Sequence, residues 1–195
     1  MIDNNNLIRI LDSISYETKL GKSLKNTLRK VDKELLLEEL SEYRLFLKKR
    51  KRMLNDFTYR IKSLQSINLK YNRYYPSKEI GSCFNDILGI RIIVDDYNIN
   101  LENDKIKHVD MTKGKKNDDG YRGYHIYYKK SNHHYPIEVQ FFTKRDYKLN
   151  MWLHKYVYKY EDNKIGLELK SLYDKSIIDS EDDFKEALER VLYIS

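Results

Sequence analysis

Four clusters in the sequence carry side chains able to work on phosphates and hydroxyls. The first is Arg60-Ile61-Lys62-Ser63-Leu64-Gln65-Ser66-Ile67-Asn68-Leu69-Lys70. On a helix Lys62, Ser66 and Lys70 recur one turn apart and share a face, with Ile61, Leu64 and Ile67 on the other side. Two ammonium groups and a hydroxyl, with Arg60 just ahead, are the parts of a triphosphate cradle: the cations neutralise charge and the hydroxyl adds direction. An ordinary amphipathic helix has the same spacing.

The second cluster is Asp86, directly before the apolar run Ile87–Val94, which also carries Arg91. A carboxylate at the edge of a buried strand can present oxygen to a hard cation. The third is Glu138, in Pro136-Ile137-Glu138-Val139-Gln140-Phe141-Phe142. Alternation puts Glu138 and Gln140 on one face of a strand. Polar groups in so apolar a segment need hydrogen-bond partners, a metal or a solvent-facing side. The fourth is Asp119-Gly120-Tyr121-Arg122-Gly123-Tyr124-His125. Two glycines free the backbone there, and an exposed Tyr121 could stack on a nucleobase. His125 follows on the same side, where a satisfied sheet histidine is the plainer reading.

The elements that must hold these residues can be read from periodicity. A helical pattern runs from about Ile8 to Leu54, through Leu24, Leu28, Val31 and Leu35, then Leu36, Leu40, Tyr43 and Leu47. Lys48-Lys49-Arg50-Lys51-Arg52 interrupts it, either as a solvated helix end suited to the macrodipole or as a polyanion contact. A shorter helix is expected from Ser63 to Tyr71, then a loop at Tyr74–Ser77. Ile87–Val94 reads as a central strand and Lys105–Met111 as a weaker one. A polar loop with Lys113, Lys115 and Lys116 leads to strands at Tyr124–Tyr128 and Tyr135–Phe142, joined by a turn at Ser131-Asn132. Two helices close the chain, one over Tyr147–Tyr160 and one from Glu181, capped by Ser180, with Phe184, Leu188, Val191 and Leu192 on one face. The order predicts an α+β fold: a mixed β-sheet of four to five strands flanked by N-terminal and C-terminal helices. One domain is expected over 1–195, with a helical part at 1–58, a core at 59–160 and C-terminal helices at 161–195.

Composition sets the outer bounds. With 41% hydrophobic and 34% charged residues the chain is globular rather than disordered. No run of 18 apolar residues exists, so no membrane partner is expected. Met1-Ile2-Asp3-Asn4-Asn5-Asn6 lacks the features of a secretory signal. The single cysteine, Cys83, excludes a disulfide framework and a cysteine zinc cluster, so a reducing, cytoplasmic setting is expected. The net charge of +7 suits a phosphate-bearing partner, although abundant Lys, Asn, Ile and Tyr also reflect an AT-rich genome.

Taken in order, Arg-x-Lys-x3-Ser-x3-Lys, Asp-x2-Gly-x-Arg (Asp86, Gly89, Arg91), Gly-Tyr-x3-His (Gly120, Tyr121, His125) and Glu-x-Gln (Glu138, Gln140) resemble the synthetase domain of the RelA/SpoT family. The resemblance covers about Arg60 to Lys159 and implies a nucleotidyltransferase-like fold and pyrophosphate transfer from ATP to a ribose 3′-hydroxyl. The chain leaves no room for the family's hydrolase domain, which implies a small, stand-alone synthetase. By resemblance Arg60, Lys62, Ser66, Lys70 and Arg91 hold ATP, and Asp86 and Glu138 bind Mg²⁺, with Glu138 helping to deprotonate the attacking hydroxyl. Tyr121 then stacks on the acceptor base, and His125 and Gln140 position acceptor or phosphate.

Two departures bear on the acceptor. Asp119 stands where guanosine-nucleotide synthetases commonly have Asn, and Phe142 where they commonly have Arg before Thr143. The acceptor is therefore either GDP or GTP, giving guanosine tetra- or pentaphosphate, or the 3′-CCA end of tRNA. The second makes the chain a translation-inhibiting toxin with an antitoxin partner. A tRNA stem would be gripped by Lys48, Lys49, Arg50, Lys51 and Arg52, with Lys25, Arg29 and Lys30. Other classes remain: a different nucleotidyltransferase, using Gly81-Ser82 with Asp95-Asp96, or an inactive nucleotide-binding module.

Overall fold

Helix α2 (Lys33–Lys49) shows how the N-terminal apolar pattern is used. Asp32 caps it by accepting the Leu35 N–H at 3.0 Å. Leu36, Leu40, Tyr43 and Leu47 then bury one face. The expected helical run from 8 to 54 is in fact broken. Helix α1 (Asn4–Ser13) and α2 are separate, with 3₁₀ turns at Leu28–Lys30 and Lys51–Leu54. Gly21 takes φ 65° in the gap, a left-handed value that no helix accommodates. Between the two helices the chain pairs with distant backbone: Glu17 bridges His134, Thr27 bridges Glu79, and the Leu24 N–H donates to the Asn132 carbonyl at 2.8 Å. Leu24 and Leu28 are buried all the same, whereas Leu35, which continues their spacing, is exposed. Regular spacing there marks buried leucines, not a helix.

The computed structural model describes residues 4–194, so the first three residues of the stretch inspected for a signal, and Ser195, lie outside it. Strands β1 (Thr58–Ile61), β2 (Leu88–Val94), β3 (Ile106–Asp110), β4 (Tyr124–Tyr128) and β5 (Ile137–Thr143) form a five-stranded mixed sheet in the order β1-β2-β5-β4-β3. The architecture is α+β, as the alternation of patterns predicts. Strand β1 pairs antiparallel with β2 and sets Arg60 opposite Gly89. It holds Arg60, which the sequence places just ahead of a helix. Thr58-Tyr59-Arg60-Ile61 alternates exposed with half-buried residues, a period of two too short to stand out.

Helix α3 (Leu64–Tyr74) is capped by Ser63, whose hydroxyl accepts the Ser66 N–H at 3.1 Å. A short α4 (Ile80–Cys83) leads into β2. After β5, Thr143 caps α5 (Lys144–Trp152), which runs on through a π turn at Leu153–Val157 and a 3₁₀ turn at Tyr158–Tyr160. The helix expected over 147–160 is thus three pieces, ended by Glu161 at φ 55°. Helix α6 (Asn163–Asp174), capped by Asp162, is additional to the two helices expected at this end. Helix α7 (Glu181–Ile194) begins at Ser180, which accepts the Asp183 N–H at 3.1 Å.

The chain forms two interleaved compact units. One comprises the described residues up to Ile92 with Ile99–His108 and Ile126–Gln140; the other comprises Ile93–Asn98, Val109–His125 and the residues from Phe141 onward. The first buries Leu36, Leu40, Tyr43, Ile67, Phe84 and Ile90. The second buries Leu149, Leu153, Leu169 and Phe184 among others. Each such side chain contributes about 1.5–3 kcal/mol when fully buried. Among the described residues no helix is long and apolar enough to cross a membrane.

Candidate active site

The first unit gathers its cations on one carboxylate. Asp86, just ahead of β2, meets Lys62 Nζ at 2.7 Å, Lys70 Nζ at 2.9 Å and Arg60 at 3.7 Å. The residues arrive from three elements. Arg60 lies in β1 opposite Gly89, Lys62 extends that pairing by donating its N–H to the Ile87 carbonyl at 2.9 Å, and Lys70 comes from α3. Lys62 and Lys70 therefore do converge, although not as two positions on one helix. Ser66 does not join them: it is exposed, and its hydroxyl accepts from Ser63 at 2.9 Å. Leu64, expected in the core, is 44% exposed. Burial pushes the Asp86 carboxyl up, but the charges and hydrogen bonds of Lys70 and Lys62 outweigh it and hold the group below the usual aspartate range.

A second polar chain lies along the sheet. Glu138 is 6% exposed, and its Oε1 accepts the Tyr127 hydroxyl at 3.1 Å while its Oε2 accepts the Gln140 amide at 3.0 Å. Gln140 in turn accepts from Arg91 Nε at 3.3 Å. Arg91 and Gln140, expected on ATP and acceptor respectively, thus support Glu138. Gly89 lies beside both groups: a Cβ on it would be in ordinary contact with Glu138 Oε2 at 3.4 Å and Arg60 Nε at 3.6 Å. Burial and the Glu138 carboxylate push the Tyr127 hydroxyl far up, so it stays a donor at neutral pH.

These donors suit a hard divalent cation in kind. Asp86 and Glu138 supply carboxylate oxygens, and among the described residues no three acidic, histidine or cysteine side chains converge. A Mg²⁺ ion commonly uses one or two carboxylates and completes its shell with phosphate and water, so the pair fits a metal that arrives with a nucleotide. Both Asp86 oxygens are engaged by lysines, which must turn toward phosphate for the metal to be held.

In the second unit the Tyr121 ring is set from several sides. Its hydroxyl lies 2.6 Å from His125 Nε2, its edge meets Phe142 at 6.0 Å, and Lys115 Nζ sits 4.5 Å over its face. Lys115 is also paired with Asp119 at 2.8 Å, so the anion that departs from the usual pattern is neutralised locally. Phe142 fills the space beside Gly123, where even a Cβ would lie 2.7 Å from its ring. His125 is buried and acts on Tyr121. The loop ahead of Tyr121 is braced: Asp118 binds Arg122 at 2.7 and 2.9 Å, and Asn150 of α5 accepts the Arg122 N–H at 3.2 Å and donates to its carbonyl at 2.6 Å. Gly166 of α6 lets the Asp119 carbonyl come so close that a Cβ on it would collide.

The remaining candidates are placed as follows. Lys48 and Lys49 end α2, Lys51 and Arg52 lie exposed in the 3₁₀ turn, and the Arg50 guanidinium stacks 3.8 Å over Phe46. Four of the five cations in the run are thus exposed at the helix end, and the fifth packs on an aromatic ring. Asp96, half of the alternative nucleotidyltransferase pair, accepts the Asn98 N–H at 2.9 Å in an exposed turn. Asp95 is exposed as well.

No protein-family model and no curated protein matches the chain. Solved structures do. The fold is similar to that of small alarmone synthetases. Small alarmone synthetase 1 from Bacillus subtilis, bound to its product pppGpp, is 21% identical, with 82% of this chain and 95% of that one covered and a TM-score of 0.45. Small alarmone synthetase 2 from the same organism is 21% identical over 84% and 97% of the chains, with a TM-score of 0.46. The protein smu.1046c from Streptococcus mutans UA159 is 20% identical over 78% and 93%, with a TM-score of 0.40. At this level the likeness is one of fold alone.

Several residues escape a reading of the sequence. Tyr127 carried a signal, since it follows His125 by two in a strand and so shares its face. Asn85, which accepts from Lys70 at 3.3 Å, sits beside a residue already singled out. Asn150 and Gly166 carried none, because they reach the Tyr121 loop from 28 or more positions away.

Proposed function

We propose that the chain is an ATP-dependent pyrophosphokinase acting on a ribose 3′-hydroxyl. The observation that carries this is the convergence of Lys62, Lys70 and Arg60 on Asp86. Such a cluster exchanges one anion for another: the cations turn to the ATP phosphates, and Asp86 is released to a Mg²⁺ ion with Glu138. The metal supplies neutralisation of charge on the transferred group. The acceptor 3′-oxygen attacks the β-phosphorus, the bond to the α–β bridging oxygen breaks, AMP leaves, and the hydroxyl proton passes to Glu138. Tyr127 and Gln140 hold Glu138 in place, and Tyr121 offers its ring to the acceptor base. The ordered motifs, which resemble those of RelA/SpoT synthetases, support the same reading.

The acceptor is GDP or GTP in the first reading, and Lys115 beside Tyr121 supplies a cation for it. One observation favours the 3′-CCA end of tRNA, and with it a toxin held by an antitoxin: Phe142 puts an aromatic ring where a phosphate-binding Arg is common. Purified protein with labelled ATP, Mg²⁺ and GDP, GTP or bulk tRNA tests both. AMP release with label moving to one acceptor supports the activity and names the substrate. No AMP with any of them overturns it.

A further inference from the structure

We propose that Tyr158, with His154 at its edge, is a second stacking site that takes the base next to the acceptor nucleotide, so that the acceptor enters as the unpaired 3′ end of an oligonucleotide; this rests on Tyr121 receiving the acceptor base. Both tyrosines belong to the second unit. The π turn after α5 sets Tyr158, whose N–H donates to the Leu153 carbonyl. Such turns are rare and favour functional positions. Gly166 links Leu153 to the Tyr121 loop: a Cβ on it would lie 3.6 Å from Leu153 Cδ2 and collide with the Asp119 carbonyl. The Asp119 carboxylate accepts the Tyr121 N–H at 3.1 Å and pairs with Lys115 at 2.8 Å. Burial and the charge of that same Asp119 push the Tyr158 hydroxyl up. One carboxylate is therefore close to both tyrosines, and Tyr158 stays a neutral phenol at physiological pH.

Other tyrosines of this unit serve the fold. Tyr156 donates to Glu181 and packs on Phe184, and Tyr173 donates to the Arg145 carbonyl at 3.1 Å and packs on Trp152. Tyr158 differs. Among the described residues its hydroxyl has no hydrogen bond, and its ring meets the exposed His154 at 6.1 Å and 78°. Tyr158 and Tyr160 are 36% and 41% exposed, and Lys159 Nζ sits 4.9 Å over the Tyr160 ring. Exposed rings interleaved with a cation suit the faces of successive bases. Charge contributes less: Lys155 is already paired with Glu181 at 2.8 Å, and Glu161, at φ 55°, and Asp162 end the series. Rings that outweigh net charge fit bases better than isolated phosphates. A mononucleotide brings one base, which Tyr121 meets, whereas a strand brings a neighbour for the second ring.

Calorimetry with the donor site filled by a non-hydrolysable ATP analogue tests the site. The probes are a short RNA ending in CCA and the same strand with an abasic sugar before the terminal adenosine. Wild-type protein should bind the abasic strand about tenfold or more weakly, the scale of one lost stacking contact. Tyr158→Ala should bind the intact strand as weakly as wild type binds the abasic one, and should lose nothing further with the abasic strand. Tyr158→Phe, which keeps the π-face, should behave as wild type. Tyr158→Leu, which keeps bulk without that face, should behave as alanine and serves if the alanine variant melts early. The site is overturned by wild type that binds both strands alike or neither, by alanine and leucine variants that still tell them apart, or by phenylalanine as damaging as alanine. Failure of the underlying reading shows separately, as Tyr121→Ala that binds the intact strand normally or as wild type that releases no AMP with any acceptor.

Discussion

Asp86 is the residue on which the first unit's charges balance, so its replacement is the most informative single change. Asp86→Asn keeps the shape but leaves Lys62 and Lys70 facing each other without an anion. Folding should survive, since Asp86 sits at the edge of the core, while transfer falls by several orders of magnitude with the loss of metal binding. AMP release alongside far-ultraviolet circular dichroism checks it; near-normal turnover in a folded variant sinks the assignment. A pH dependence follows as well. The folded carboxyl titrates below its ordinary value of 3.8, so its contribution to stability is complete above that pH and is lost as pH falls through the lower folded value. Urea midpoints measured from pH 5 downward should therefore drop less steeply in Asp86→Asn than in the wild type. Equal slopes would mean the lysines do not favour the ionised form.

At the scale of elements, the second unit builds its platform by bracing a loop with two helices. Gly166→Ala should drive α6 off the Asp119 carbonyl, because the added Cβ has no room. The cost should be about 1–3 kcal/mol of stability, the usual range for overpacking. The acceptor KM should rise while affinity for an ATP analogue is unchanged, which steady-state kinetics and calorimetry would separate; a parallel loss of both would make Gly166 a general packing residue. This brace also shows where sequence reading stops. Strands β2, β4 and β5 were legible because they are apolar or alternate strongly. Asp86 just ahead of β2 and Glu138 within β5 stood out as carboxylates in apolar segments, Lys70 lay on the helix expected over Ser63–Tyr71, and Tyr121 stood between two glycines ahead of β4. Lys62 was expected on the helix of Lys70 and instead follows β1, since helical spacing and a four-residue strand followed by a turn both let Lys62 approach Lys70. The gap between α1 and α2 was illegible because Leu24 and Leu28 answer to tertiary burial against distant backbone.

At the scale of the whole molecule, the net charge of +7 is the property that reaches furthest. Lys49, Lys51 and Arg52 are exposed and carry no packing duty, unlike Arg50 on Phe46. Replacing those three with Glu should leave thermal stability nearly unchanged. If tRNA is the acceptor, its modification should collapse and the salt dependence of binding flatten, because each lost phosphate contact removes about 0.9 from the log–log slope. Transfer to GDP should change little, since exposed charges beyond roughly 8 Å are screened at physiological salt. Parallel assays of the triple variant with both acceptors decide it, and undiminished tRNA modification would confine the run to a helix end.

Cys83 turns the interior beneath Lys70 into a clock. It is the chain's one thiol, fully buried, with its Sγ 3.9 Å from the Lys70 carbonyl, and burial pushes it up to about 11. Alkylating reagents need both access and thiolate, so near neutral pH the native chain should react only during excursions in which α4 and the end of α3 come apart. The labelling half-life then measures how often that region breathes, with no engineered probe. A nucleotide seated on Lys70 should lengthen the half-life in proportion to its saturation of the site, giving an affinity scale that works even for variants without turnover. Prompt labelling of the folded protein would show that this part of the interior is looser than its packing implies.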